Sequence, residues 1–189
     1  MTVYIAFLRG VNVGGKNKIL MPELKRALEG IGLTRVETYI QSGNIVFESG
    51  EGEASLREQI GDALRWNFSL SVPVILRTAD ELGRLTGNCP FTEAEVKLAQ
   101  SLNTEGESLY AALLPAEAGK WAETLDPLRG KEDDFRITGR DVCLLLRRGI
   151  RNSKLAGALQ KPGEAVTVRN WKTLRTLASM AEERMKCGF

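Results

Sequence analysis

The sequence repeats one order of strand and helix patterns, and this repeat constrains the fold more than any other feature. Residues 3–77 read as a buried strand, an amphipathic helix, two strands forming a hairpin, a second helix and a further strand. Residues 108–168 repeat that order. A β-α-β-β-α order is typical of the ferredoxin-like fold. The sequence therefore predicts an α+β protein with two ferredoxin-like (βαββα) subdomains in tandem, closely packed.

The same patterns predict the domain limits. The first ferredoxin-like subdomain is expected at residues 1–86, and the second at residues 107–189, including a C-terminal helix over 170–186. The polar residues 87–106 are interpreted as a connecting segment, in part helical. Pro115 is expected to open a helix that runs to about Leu125, because proline suits the first helical position. The tryptophans are interpreted as core residues: Trp66, Trp121 and Trp171.

Two residue types limit the chemistry that this chain can perform. The chain contains no histidine, which excludes histidine general bases, histidine-containing triads and histidine-ligated zinc. Its three cysteines, Cys89, Cys143 and Cys187, are far apart and odd in number, which disfavours a disulfide framework and suits a reducing compartment. Catalysis by Cys89 is disfavoured without a histidine base, and Cys143 is expected to be inert within an apolar strand.

The chain is expected to be cytoplasmic and not associated with membranes. Its first residues lack the basic segment and small-residue cleavage site of a signal peptide. Its longest apolar runs fall short of the roughly 18 residues that a membrane span requires.

Basic residues are concentrated in two segments. Residues 1–26 carry a net charge of +4 and residues 140–175 carry +7, which leaves −9 for the rest of a chain whose net charge is +2. This asymmetry favours an electropositive surface that meets an anionic partner. Solvated helix faces would produce the same pattern.

A glycine-rich loop follows the first strand and is the strongest candidate for an anion-binding element. Glycines at these positions allow backbone N–H groups to surround an anion. Arg9 can grip a phosphate or carboxylate with two hydrogen bonds, and Lys16 and Lys18 add charge. A tight turn that merely requires glycine is the alternative. The candidate ligand-binding residues of this loop are Arg9, Gly10, Asn12, Gly14, Gly15, Lys16 and Asn17.

The loop also matches the spacing of a phosphate-binding P-loop up to its lysine, but the rest of the pattern disagrees. Asn17 stands where the magnesium-binding serine or threonine is required. Pro22 would break a helix that began at Lys16. No apolar strand ends in an aspartate that could serve as the second magnesium ligand. A nucleoside triphosphatase of this class is therefore disfavoured.

Three further segments contribute polar candidates, each with a structural alternative. The turn between the hairpin strands contains Gln41, Ser42 and Asn44, either as ligand groups beside the glycine loop or as ordinary turn residues. Ser153 and Lys154 begin one predicted helix, and Arg169 and Asn170 precede another. Helix N-termini bind anions, although serine and asparagine there also act as caps.

Five motifs together resemble one known family. They are Leu-Arg-Gly-Val-Asn-Val-Gly-Gly-Lys-Asn at 8–17, Tyr-Ile-Gln-Ser-Gly-Asn at 39–44, Pro-Val-Ile-Leu-Arg-Thr at 73–78, Ser-Lys-Leu at 153–155 and Thr-Val-Arg-Asn-Trp at 167–171. In this order they are similar to the bacterial domain-of-unknown-function family 1697. The resemblance spans nearly the whole chain and implies two ferredoxin-like subdomains, but it implies no activity.

The leading functional hypothesis is a protein that binds a phosphorylated or nucleotide-like anionic ligand. The glycine loop, Arg9 and Lys16 would hold the anion, with Lys154 and Arg169 contributing from the second half. The first alternative is nucleic-acid binding across a basic face, by analogy with other ferredoxin-like sheets. The aromatic signature of RNA-recognition strands is missing, which disfavours it. The second alternative is a non-catalytic interaction module. The sequence assigns no catalytic residue, cofactor or metal.

Overall fold

The computed structural model describes residues 1–131 and 133–187. The chain forms two compact units. The first unit comprises Met1–Arg84 together with the chain from Arg175 onward, and the second unit comprises Leu85–Leu174. The domain limits that the sequence predicts stay a prediction.

The first unit contains a four-stranded antiparallel sheet with two helices between its strands. Its elements are β1 (Thr2–Leu8), α1 (Met21–Gly30), β2 (Thr34–Tyr39), β3 (Asn44–Ser49), α2 (Glu53–Phe68), β4 (Val74–Thr78) and the start of α3 (Ala79–Gly87). The strand order across the sheet is β2-β3-β1-β4. Strand β1 is therefore central and pairs with both β3 and β4. The loop after Leu8 consequently emerges from the middle of the sheet.

The core of the first unit lies between one face of the sheet and the two helices. Alternate residues of β1, including Ala6 and Leu8, belong to the same buried cluster as Leu24 and Leu28 of α1 and Leu56 of α2. Alternate residues of a strand point to one face, and residues three or four apart on a helix share one side, so the two patterns form a common core. The intervening residues Val3, Ile5 and Phe7 are buried as well, so the strand is buried on both faces from Val3 to Leu8.

The second unit repeats this arrangement after one additional helix. Its elements are α4 (Glu93–Leu102), β5 (Leu109–Leu113), α5 (Trp121–Leu125), β6 (Asp133–Thr138), β7 (Asp141–Leu146), α6 (Lys154–Leu159) and β8 (Thr167–Asn170), followed by α7 (Trp171–Cys187), which continues into the first unit. The strand order is β6-β7-β5-β8, again antiparallel throughout. The predicted α+β class is confirmed: two four-stranded antiparallel sheets and, over the described residues, seven α-helices.

The part-helical interpretation of residues 87–106 is confirmed by helix α4, which Thr92 and Glu95 begin with a reciprocal capping box. Two other expectations are wrong. The helix expected from Pro115 begins only at Trp121, because residues 115–120 form bends and turns. The side chain of Trp66 is 86% exposed, whereas Trp121 and Trp171 are buried as expected.

The two units carry an arginine at the same register of their sheets. Arg77 of β4 pairs with Ile5, and Arg169 of β8 pairs with Ala111, the matching position of the central strand. Each arginine donates Nη1 to the carbonyl of the preceding residue. The next residue then caps a helix: Thr78 Oγ1 accepts from the Glu81 amide, and Asn170 Oδ1 accepts from the Thr173 amide.

Candidate functional site

The glycine-rich loop forms a tight hairpin that projects from the centre of the first sheet. Val13 and Lys16 form an isolated antiparallel bridge, and the Lys16 amide donates to the Val13 carbonyl over 3.0 Å. The two intervening residues have the left-handed conformation that a two-residue hairpin turn requires, with φ of +57° at Gly14 and +76° at Gly15. The glycines are therefore needed for the turn itself, as the structural alternative predicts.

Asn12 is the residue that fixes the loop to its surroundings. Its Nδ2 donates to the carbonyls of Ile19 at 3.0 Å and Gln41 at 2.8 Å. Its Oδ1 accepts from the Ile19 amide at 2.9 Å. Asn17 braces the base of the same hairpin by donating Nδ2 to the Gly10 carbonyl at 2.9 Å. The side chains of both asparagines are therefore hydrogen-bonded to the backbone and are not presented to a ligand.

The turn between β2 and β3 lies against this loop. The Gln41 carbonyl is held by Asn12, and the Leu8 amide donates to the Gly43 carbonyl over 2.8 Å. A Cβ at Gly43 would stand 2.5 Å from Val11 Cγ2, so only glycine allows this close approach. The structure therefore brings Gln41 and the glycine loop together within the first unit, as the functional interpretation of the turn required.

The other polar residues of the turn have structural partners. Asn44 is fully buried and donates Nδ2 to the Tyr39 carbonyl at 3.1 Å and to Ser42 Oγ at 2.8 Å. Gln41 has an exposed side chain. Of the three predicted residues in this turn, Gln41 is the one whose side chain faces solvent.

The tip of the hairpin presents hydrogen-bond donors that no protein atom satisfies. Across the described residues, the N–H groups of Gly14 and Gly15 have no acceptor. Among the same residues, the ammonium groups of Lys16 and Lys18 form no ion pair or hydrogen bond, and both lysines are exposed. Two backbone donors and two cations consequently meet solvent within five consecutive residues.

The geometry of the loop differs from that of a P-loop. Helix α1 begins at Met21 rather than at Lys16, with Pro22 in its first turn. The lysine therefore does not stand at a helix N-terminus, in agreement with the sequence argument against a P-loop. Arg9 lies directly after β1, half-buried, with its amide donating to the Pro73 carbonyl at 3.1 Å. Gly10 is exposed and has φ of +68°.

In the second unit the predicted residues act mainly on their own helices. Ser153 is buried and caps α6 by accepting from the Ala156 amide. Asn170 caps α7, as described above. Arg169 donates to Thr167 Oγ1 at 2.8 Å, and burial lowers its pKa to about 10, so it remains a cation at neutral pH. Lys154 is exposed. The contribution of these four residues to a ligand site stays a prediction.

The two described cysteine side chains differ in their exposure to solvent. Cys143 is buried in β7, and burial, reinforced by Asp141, raises the pKa of its thiol to about 12. The burial within an apolar strand is as expected, and the inertness of this thiol stays a prediction. Cys89 is partly exposed. Among the described side chains, no three histidine, cysteine, aspartate or glutamate residues are grouped so that they could hold a metal ion.

One surface depression of the first unit lies away from the glycine loop. It encloses about 500 Å³ and is lined by residues of β2 and α7, with Lys25 of α1. Its charged groups are already engaged, because Arg35 pairs with Glu48 and Arg184 with Glu37. A site whose cations are paired is less suited to an added anion than the hairpin tip.

Sequence reasoning missed three apolar residues around the loop. Val13, Leu20 and Ile40 are 62%, 65% and 51% exposed, respectively. Ile40 also has a φ of +50°, which is rare for a β-branched residue. The available signal was weak: each is a single large apolar residue within or beside a polar turn.

Comparisons with known proteins agree on the family and the fold. The sequence model of the family described as "Protein of unknown function (DUF1697)" matches residues 1–142. The solved structure of the conserved bacterial protein SP0830 from Streptococcus pneumoniae is similar, with a TM-score of 0.73 at 25% sequence identity. That match covers 95% of this chain and 98% of the pneumococcal chain. No curated protein matches the sequence. Over the described residues, no helix is both long and apolar enough to cross a membrane.

Proposed function

This chain belongs to the DUF1697 family of proteins of unknown function, and on that premise we propose that it binds a phosphate-containing anionic ligand at the hairpin after β1. The observation that carries the proposal is the set of unsatisfied donors at the hairpin tip. Within residues 1–131 and 133–187, the N–H groups of Gly14 and Gly15 have no acceptor, and the ammonium groups of Lys16 and Lys18 are unpaired. Backbone amides in left-handed turns, reinforced by cations, form a common anion-binding arrangement.

The rigidity of the loop supports the proposal. Asn12 makes three hydrogen bonds to backbone atoms of two different segments, and Asn17 makes a fourth across the base of the hairpin. Holding donors in place before the ligand arrives reduces the ordering entropy that binding would otherwise cost.

A fold assignment accompanies this proposal. We propose that each sheet with its helices is a ferredoxin-like unit, on the basis of the β-α-β-β-α order and the strand orders β2-β3-β1-β4 and β6-β7-β5-β8. We also propose a cytoplasmic location, which rests on the scattered cysteines in the sequence.

Titration with inorganic phosphate and pyrophosphate tests the function directly. We expect saturable heat in calorimetry and a rise in Tm relative to chloride at equal ionic strength, because a ligand that binds only the folded state stabilises it. Lys16→Ala and Lys18→Ala should each weaken binding, and the double variant should abolish it. Lys97→Ala is the matched control, because Lys97 is an exposed lysine of the second unit already paired with Glu93 at 2.5 Å.

Two results would count against the proposal. The proposal fails if the protein binds neither phosphate nor pyrophosphate. It also fails if the double lysine variant binds them as well as the native chain does. Tight binding of a single-stranded oligonucleotide with a steep dependence on salt would instead support the nucleic-acid alternative, because phosphate-backbone binding releases counterions.

A further inference from the structure

Three exposed aliphatic residues belong to the segments that Asn12 joins at the hairpin. Val13 follows Asn12 in the hairpin, while Leu20 and Ile40 each adjoin a residue whose carbonyl Asn12 binds. All three are more than half exposed. We call the group formed by Val13, Gly14, Gly15, Lys16, Lys18, Leu20 and Ile40 the loop-end surface. It combines cations and N–H groups with apolar side chains, on segments that Asn12 joins by hydrogen bonds.

The conformation of Ile40 indicates that its exposure serves a purpose. A left-handed backbone is unfavourable for a β-branched residue, and solvent exposure of the side chain gives no compensating burial. Strained residues of this kind concentrate at ligand-binding positions. Asparagine or glycine would satisfy the same turn at lower cost. An apolar side chain at this position is therefore explained by something that covers it.

Resting on the proposed function, we infer that the ligand is a phosphomonoester whose phosphate carries an apolar group. The phosphate, with a charge near −2, matches the two unpaired ammonium groups and the glycine amides. The apolar part would cover Val13, Leu20 and Ile40, which are aliphatic. A run of stacked nucleobases would instead require aromatic platforms, and the exposed large side chains of the loop-end surface include none.

A series of n-alkyl phosphates at constant charge tests this inference. Methyl, butyl and hexyl phosphate present the same anion with an increasing apolar area, and each CH₂ that becomes fully buried should increase affinity about fourfold. Leu20→Ser and Ile40→Asn should flatten this dependence on chain length, with each affinity expressed relative to the affinity of the same variant for inorganic phosphate. Ile40→Asn retains a residue that tolerates the left-handed backbone. Leu98→Ser, at a half-exposed leucine of α4, is the control and should leave the series intact.

Vesicles distinguish the two sources of such a phosphomonoester. Co-sedimentation with phosphatidylcholine vesicles that contain phosphatidic acid, but not with pure phosphatidylcholine, would assign the ligand to a lipid headgroup. Chain-length dependence without co-sedimentation would assign it to a soluble ester. A flat alkyl series together with no co-sedimentation would overturn the inference. If inorganic phosphate still bound in that case, the proposed function would stand, and if it did not, both would fall.

Discussion

The side-chain amide of Asn12 lies 2.8 Å from the carbonyl oxygen of Gln41, and this hydrogen bond joins two loops that are 29 residues apart in the chain. The same side chain also makes two hydrogen bonds with the backbone of Ile19. One asparagine therefore holds the hairpin, the start of α1 and the β2–β3 turn in a fixed arrangement. The position of the hairpin tip therefore depends on the three hydrogen bonds of Asn12.

Asn12→Gly should destabilise the protein and weaken phosphate binding together. Glycine accepts the φ of +53° at this position, so the substitution isolates the loss of three side-chain hydrogen bonds. The expected loss is about 1–3 kcal/mol in the free energy of unfolding, measured by urea denaturation. Asn17→Gly removes one bond and should cost less. Equal losses in the two variants would contradict the central role of Asn12.

Gly43→Ala should be among the most damaging single-methyl changes in the first unit. The added Cβ would lie 2.5 Å from Val11 Cγ2 and 2.8 Å from Leu8 Cβ, at a φ of +75°. We expect a loss of about 2–4 kcal/mol, since both overpacking and backbone strain contribute. Gly14→Ala is the control: its φ is also positive but no atom lies within 4 Å, so only strain of about 1–2 kcal/mol should appear. Denaturation midpoints of the two variants should differ accordingly.

Arg184 should couple α7 to the edge strand β2. Its side chain is largely buried, lies 2.7 Å from Glu37 Oε2 and donates to the Arg35 carbonyl. Because Glu37 is itself exposed, solvent should limit the coupling energy of the pair to near 1 kcal/mol. A double-mutant cycle with Arg184→Met and Glu37→Gln measures this energy. A coupling energy of zero would show that the Arg35 carbonyl, rather than Glu37, holds the guanidinium.

Cys143 should resist alkylation in the folded protein. Burial raises the pKa of its thiol to about 12, so the reactive thiolate is essentially absent at pH 8. Iodoacetamide followed by mass spectrometry should leave Cys143 unmodified until urea unfolds the chain. Because the folded pKa exceeds the unfolded one, near 8.5, this thiol supports the folded state fully below the unfolded pKa. That support should be lost as pH rises from there towards 12, and Cys143→Ala should reduce this part of the alkaline destabilisation.

Glu95 should make the stability of the second unit sensitive to acid. Its pKa is lowered by hydrogen bonds from the backbone and side chain of Thr92, and further by Arg136. The folded pKa lies below the unfolded one, so the stabilisation is present above the unfolded pKa, near 4.3, and is lost as pH falls through the folded value. Urea midpoints at pH 7 and pH 3 should therefore differ less in Glu95→Gln than in the native chain. Glu93→Gln, in the same turn, should leave the difference unchanged.

Strand and helix patterns predicted most of the fold because burial imposes a period on the sequence. The apolar run of β1 predicted a real strand, and the spacing of Leu56, Ile60 and Leu64 predicted α2. Trp66 lies on α2 outside that stripe, so the helical period predicts that its side chain is exposed. The helix at Pro115 was wrong because proline permits a first turn but cannot create one without following apolar spacing and a cap.

The candidate site was only partly predictable because its decisive contacts are not local. Glycine and lysine in the loop could be recognised from composition, and their turn and charge follow from residue type. The role of Asn12 depends on backbone atoms of residues 19 and 41, which no sequence spacing reveals. Ser153 and Asn170 could be read equally as ligands or caps, and hydrogen-bond geometry shows that both cap helices.

The arginines of β4 and β8 mark equivalent positions in the two sheets. They share the register on the sheet, the bond to the preceding carbonyl and the cap one residue later. The glycine hairpin has no counterpart between β5 and α5, where Pro115 and its neighbours take its place. The two units are therefore alike at the arginine and differ at the hairpin, so any property that depends on the hairpin belongs to the first unit.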